Sequence, residues 1–281
     1  MAEYTKRLLV VDVSGNSMAF SLGGKIEGMS EDENRALTSW YWYDWANQAF
    51  ALTVGTVLGG QLITRYFNLA TGGSSEIAGF NVTGTSFYAA VLGLSMVFVA
   101  ISSPILGAIA DRIRIKKKIV WIYTLLGVVF TAFMGVAPHL DEDSAYRLLA
   151  FCFLMGQIGM AGGNTIYYAF MPYLAEENQM EKVSSWGFAY GFAGGTAILI
   201  LHLIVLATGA FGMTEAYGPW TLTFAFVTTS LWWLGFGLPF FRNTPEPEIA
   251  NERSYGSIME AVSDGFREVR STFREVKKYR I

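Results

Sequence analysis

Phe87-Tyr-Ala-Ala-Val-Leu-Gly-Leu-Ser-Met-Val-Phe-Val-Ala-Ile-Ser-Ser-Pro-Ile-Leu-Gly-Ala-Ile109 contains no Asp, Glu, Lys or Arg. A helix needs about 20 predominantly apolar residues to cross the hydrocarbon core of a bilayer. A surface helix of a soluble protein keeps a polar face, and this stretch has none. Five more windows read the same way: Ala46–Tyr66, Ile119–Ala137, Leu148–Met171, Trp186–Ala207 and Trp220–Phe241, with Arg65 their one charged residue. The pattern predicts an all-α, multi-pass membrane helical bundle of six transmembrane helices.

Composition agrees. The 281 residues are 52% hydrophobic and 15% charged, against about 25% charged in an average soluble domain. The charges are segregated, so the net charge of -3 carries little information. No basic face interleaved with aromatics suggests nucleic acid. The single cysteine, Cys152, has no internal disulfide partner and lies in an apolar block. No cleavable signal peptide is read at the N-terminus, because Leu8 to Val11 is too short for an h-region.

Of the 20 Lys and Arg, all but Arg65 and Arg147 fall on one side of the expected bundle. The positive-inside rule then places both termini in the cytoplasm. The expected domains are a leader at 1–39, loosely structured with Thr38 as N-cap of the first helix, the six-span bundle at 40–241, and a basic tail at 242–281. Within the tail, Ile258, Val262, Phe266, Val269, Phe273 and Val276 are spaced as one helical face, suited to protein or anionic lipid. Asn81-Val82-Thr83 is a glycosylation sequon on the expected outer side.

The loop between spans two and three reads Gly107-Ala-Ile-Ala-Asp111-Arg112-Ile-Arg114-Ile-Lys116-Lys117-Lys118. Gly107 permits close helix approach, and Asp111 lies one turn on. This resembles the signature loop of the major facilitator superfamily, Gly-x-x-x-Asp-Arg-x-Gly-Arg-Arg, departing at Arg114 and Ile115. The resemblance implies that Gly107, Asp111 and Arg112 form a gate loop; the plain alternative is an ordinary positive-inside loop. Tyr43-Asp44-Trp45-Ala46-Asn47-Gln48-Ala49-Phe50 resembles the first-span opening of the vacuole amino-acid effluxer-like branch, with Gln48 where serine is usual. Ser184-Ser185-Trp186-Gly187 through Gly195 resembles that branch's fifth span. The resemblance implies the N-terminal half of a twelve-span transporter, with a solute site between two six-span halves. The chain is then expected to be a fragment, or else a six-span protein completed by a second copy.

Candidate solute or coupling residues are Asp44, Asn47, Gln48, Gln157, Asn164, Tyr167 and His202. An acid at a membrane threshold is a functional candidate, although Asp44 also suits a helix cap among interfacial tryptophans. By their spacing of three, Asp44 and Asn47 are expected to share a face. The amides of span four suit a small neutral or zwitterionic solute, or simple interhelical hydrogen bonding. His202 is the one imidazole within a span, fit for titration or for a structural bond. Gly187, Gly191 and Gly195 form a smooth stripe for packing. No catalytic, metal-ligating or cofactor-binding motif is present. The expectation is a secondary transporter, with amino-acid efflux as one option, in the plasma or inner membrane, or in a vacuolar membrane in a eukaryote. Its partners would be lipids, the solute and the other half. A non-transporting membrane scaffold and an intramembrane enzyme are the alternatives.

Overall fold

The computed structural model describes residues 23–110, 114–209 and 218–248, with the isolated tail positions Glu260, Ser263, Arg267 and Ser271. Helix α1 spans Glu31–Ala49 and continues through a π-helical segment, Phe50–Leu58, into α2, Gly59–Thr71. A hairpin of β1 (Ser74–Ile77) and β2 (Phe80–Thr83) follows. Then come α3 (Gly84–Ala110), α4 (Lys116–Met134), α5 (Glu142–Tyr168), the short α6 (Met171–Leu174), α7 (Met180–Thr208) and α8 (Pro219–Asn243).

Five stretches among the described residues are long and apolar enough to cross a membrane: Gly84–Gly107, Lys116–His139, Glu142–Tyr168, Glu177–Thr208 and Pro219–Asn243. The window at Ala46–Tyr66 falls on α1, the π segment and α2, none of which alone qualifies. Their helical backbone nevertheless runs unbroken from Glu31 to Thr71.

Helix α1 begins at Ser30 rather than at Thr38. Ser30 Oγ accepts the Glu33 amide at 3.3 Å while Glu33 Oε2 accepts the Ser30 amide at 2.7 Å. This capping box satisfies two amides the helix cannot. Hydrogen bonding to Ser30 also holds the Glu33 carboxyl below the usual carboxylate range. Residues 23–30 pack as well: Tyr190 donates to the Gly23 carbonyl at 3.1 Å, Tyr41 to that of Gly24 at 3.3 Å, and Ile26 is buried.

The antiparallel hairpin joins α2 to α3, with Ser74 opposite Thr83 and Ile77 opposite Phe80. Ala78 and Gly79 turn it, both with positive φ, which matches the twist of paired strands. In the tail, Glu260, Ser263, Arg267 and Ser271 are helical and exposed. These polar positions are spaced to share one face; the apolar face expected opposite lies outside the described residues.

The helices pack as two groups of three. Helix α1 packs between α7 and α8, α5 packs between α3 and α4, and α4 closes the ring against α8. One core lies at the end carrying Ser30, around Trp40, Tyr41, Tyr43, Tyr167, Phe170 and Phe240. A second lies at the hairpin end, around Phe50, Phe153, Phe226 and Trp233. Helix α3 stays outside, with Leu94, Val97, Phe98 and Ile101 all more than half exposed, as suits a lipid-facing surface.

Candidate solute pathway

Asp44 and Asn47 make different described contacts. Asp44, 2% exposed, faces α7. A Cβ added at Gly191 would lie 3.0 Å from Asp44 Oδ2 and 2.9 Å from Gln48 Cγ, and one at Gly187 would meet Trp40 at 3.0 Å. The glycines therefore make the room that the carboxylate occupies. The stripe is wider than its spacing of four indicated: Gly194 touches the Trp45 carbonyl, and a Cβ at Gly195 would sit 2.7 Å from that of Gln48. Asp44 Oδ1 is buried with no hydrogen-bond partner among the described residues. The three described ion pairs, Lys25–Glu31, Arg35–Asp32 and Arg147–Asp143, all lie elsewhere. A buried carboxylate left without a cation is costly.

Asn47 turns the other way. Its Nδ2 donates to Asn164 Oδ1 of α5 at 2.7 Å, and its Oδ1 is buried without a partner. Asn164 and, two turns earlier on α5, Gln157 are part-exposed, and Gln157 Oε1 is likewise buried and unpartnered. Gln48 is part-exposed beside Asp44. The arrangement is a band of amides flanking one acid, set where α1 passes from α7 to α5.

Tyr167 serves as a clasp. Its hydroxyl donates to the Trp40 carbonyl at 2.7 Å, Trp40 Nε1 donates to the Tyr167 carbonyl at 3.2 Å, and the rings stack with centroids 4.8 Å apart. Fully buried, it holds α5 to α1 and offers no group to a solute. Below it, Gly159 rests against the Gly127 backbone, a close approach of α5 and α4 that the sequence reading missed.

His202 belongs to a third place. Nδ1 lies 3.2 Å from Thr53 Oγ1 in the π segment, and Nε2 lies 2.8 Å from Thr228 Oγ1 on α8. Thr228 gives its own proton to the Phe224 carbonyl at 2.6 Å, so Nε2 carries the ring hydrogen and Nδ1 accepts from Thr53. The imidazole pins the π segment to α7 and α8. Thr53 is nine residues beyond Asp44, about 13 Å along a helix axis, so His202 lies away from the acid.

Of the gate loop, Gly107 has nothing within 4 Å of an added Cβ among the described residues. Asp111 and Arg112 lie outside the described residues.

The model of the vacuole effluxer Atg22-like family matches residues 32–281. The chain belongs to this family. An uncharacterized MFS-type transporter of Bacillus subtilis, YxiO, is 26% identical over 242 residues, which is 86% of this chain and 53% of that protein. An uncharacterized symporter of Synechocystis is 27% identical over 131 residues, 42% of this chain and 24% of that protein. The chain thus spans about half the length of the first relative. This Atg22-like protein is an integral membrane protein of a transporter family and not an enzyme.

Proposed function

We propose that the protein is the N-terminal six-span half of a secondary transporter that moves a small zwitterionic solute, such as a neutral amino acid, by alternating access. In this reading the Glu31–Thr71 helix is the first span, both termini are cytoplasmic, and a second six-span half closes the pathway. The observation that carries it is the amide pair Asn47–Asn164 bonded across α1 and α5 beside Asp44, an acid with no cation of its own. A solute ammonium supplies what this band lacks among the described residues: N–H donors for the buried oxygens of Asp44, Asn47 and Gln157.

The scaffold alternative predicts polar groups spent wholly on packing, as in Tyr167 and His202. The unpartnered atoms of Asp44, Asn47 and Gln157 favour transport. In full-length protein, Asn164→Ala is expected to raise the half-saturation concentration for a neutral amino acid about tenfold, the cost of one hydrogen bond to a charged group. An unchanged value across a panel of amino acids would contradict an amide-lined site.

A further inference from the structure

Helix α4 starts badly. Its N-cap is Ile115, which has no side-chain acceptor, and its first turn is Lys116-Lys117-Lys118, positive charge at the positive end of the helix dipole. An N-cap side chain normally accepts the amide of the second or third helical residue. Here the Lys117 amide, the second, donates instead to Glu246 Oε2 at 3.0 Å, from a residue beyond the end of α8.

The segment that brings Glu246 there is tied down on both sides. Lys117 Nζ donates to the Thr244 carbonyl at 2.7 Å. Thr244 Oγ1 donates to the Ala36 carbonyl of α1 at 3.2 Å, and Asn243 Nδ2 donates to Ser39 Oγ at 3.0 Å. Thr244 is 1% exposed, and Pro247 is also buried. Residues 243–247 therefore form a clasp between the starts of α1 and α4.

We propose that Glu246 is a positioning residue that caps α4 in trans and so couples the segment following α8 to the start of α4. A displacement of that segment removes the cap and frees the first turn of α4. The consequence for turnover rests on the transporter reading above; the clasp itself does not.

Two readouts separate the claims. Thr244→Cys places a near-isosteric thiol in the clasp, and the native Cys152 is buried. In full-length protein an impermeant maleimide, applied to open membranes, should modify this thiol about tenfold faster when Glu246→Ala is added, the scale expected for loss of a charged cap. Glu246→Gln, which keeps an acceptor oxygen, should fall between the two.

For transport, Glu246→Ala should lower the maximum rate about fivefold with the half-saturation concentration unchanged. Adding Ile115→Asp supplies a local cap for α4. It should preserve folding yet leave the rate low, because the tie to the segment stays broken. Full recovery of rate by Ile115→Asp would reduce Glu246 to an ordinary cap and overturn the coupling. Unchanged labelling in Glu246→Ala would overturn the clasp, whatever solute the protein carries.

Discussion

Helix α1, packed on α7 and α8, also reaches α5 through side chains, and its α5 and α7 seams are built on opposite principles. Against α5, polar groups are exchanged in pairs: Trp40 with Tyr167, Asn47 with Asn164. Against α7, backbone meets glycine, and Asp44 lies there with an oxygen left unpaired among the described residues. Satisfied polar contacts fix one geometry, whereas a glycine face interlocks few side chains and can slide. The α5 seam is the rigid one. In the proposed transporter, the α7 seam is the one suited to movement and to a cationic group.

The sharpest way to break the comparison is at Gly194, which touches the Trp45 carbonyl. Gly194→Leu inserts four carbons where even one is excluded, costing at least about 1–3 kcal/mol by overpacking. The expected result is loss of the monodisperse species in size-exclusion chromatography; a well-behaved variant would mean that the seam is not closed.

Tyr167→Phe tests the other seam. It leaves the buried Trp40 carbonyl without its hydroxyl donor, at a cost of about 1–3 kcal/mol, seen as a lower midpoint of thermal unfolding. Because the Tyr167 hydroxyl is spent on the Trp40 carbonyl, solute affinity should be kept.

The smallest effect is expected at the far start of α5, remote from both seams. Asp141 Oδ1 accepts the Ser144 amide at 3.0 Å, which holds its carboxyl below the ordinary 3.8. A pKa depressed by folding adds stability at neutral pH that is lost as pH falls below about 4. Asp141→Asn should flatten that acid limb slightly and leave both seams intact, as read from unfolding midpoints at pH 3 and 7.

Much of this was legible in the sequence. Charge-free runs such as Phe87–Ile109 announced their spans because hydrocarbon tolerates no alternative. The stripe Gly187, Gly191, Gly195 pointed to a smooth face on α7, although its occupant, Asp44, was not readable from spacing. Spacing also put Asp44 and Asn47 on one face, yet three residues differ by some 60° around a helix, enough to reach different neighbours.

Other features depend on tertiary partners. The clasp role of Tyr167 needs the Trp40 carbonyl 127 residues away. The clip at His202 needs a π segment, and no residue type in Phe50–Leu58 marks one. Ser30 and Glu33 did carry a visible capping-box signature, which the weaker candidate Thr38 obscured.

The central claim is that Asp44 receives the ammonium of a transported zwitterion. Amino-acid flux in vesicles holding full-length Asp44→Asn protein tests it most directly. Asparagine keeps the volume against Gly191 and removes only the charge, so the protein should fold while flux falls at least about tenfold, the loss of one charge-assisted contact. Normal flux with normal half-saturation would remove Asp44 from the pathway and leave it a buried packing residue.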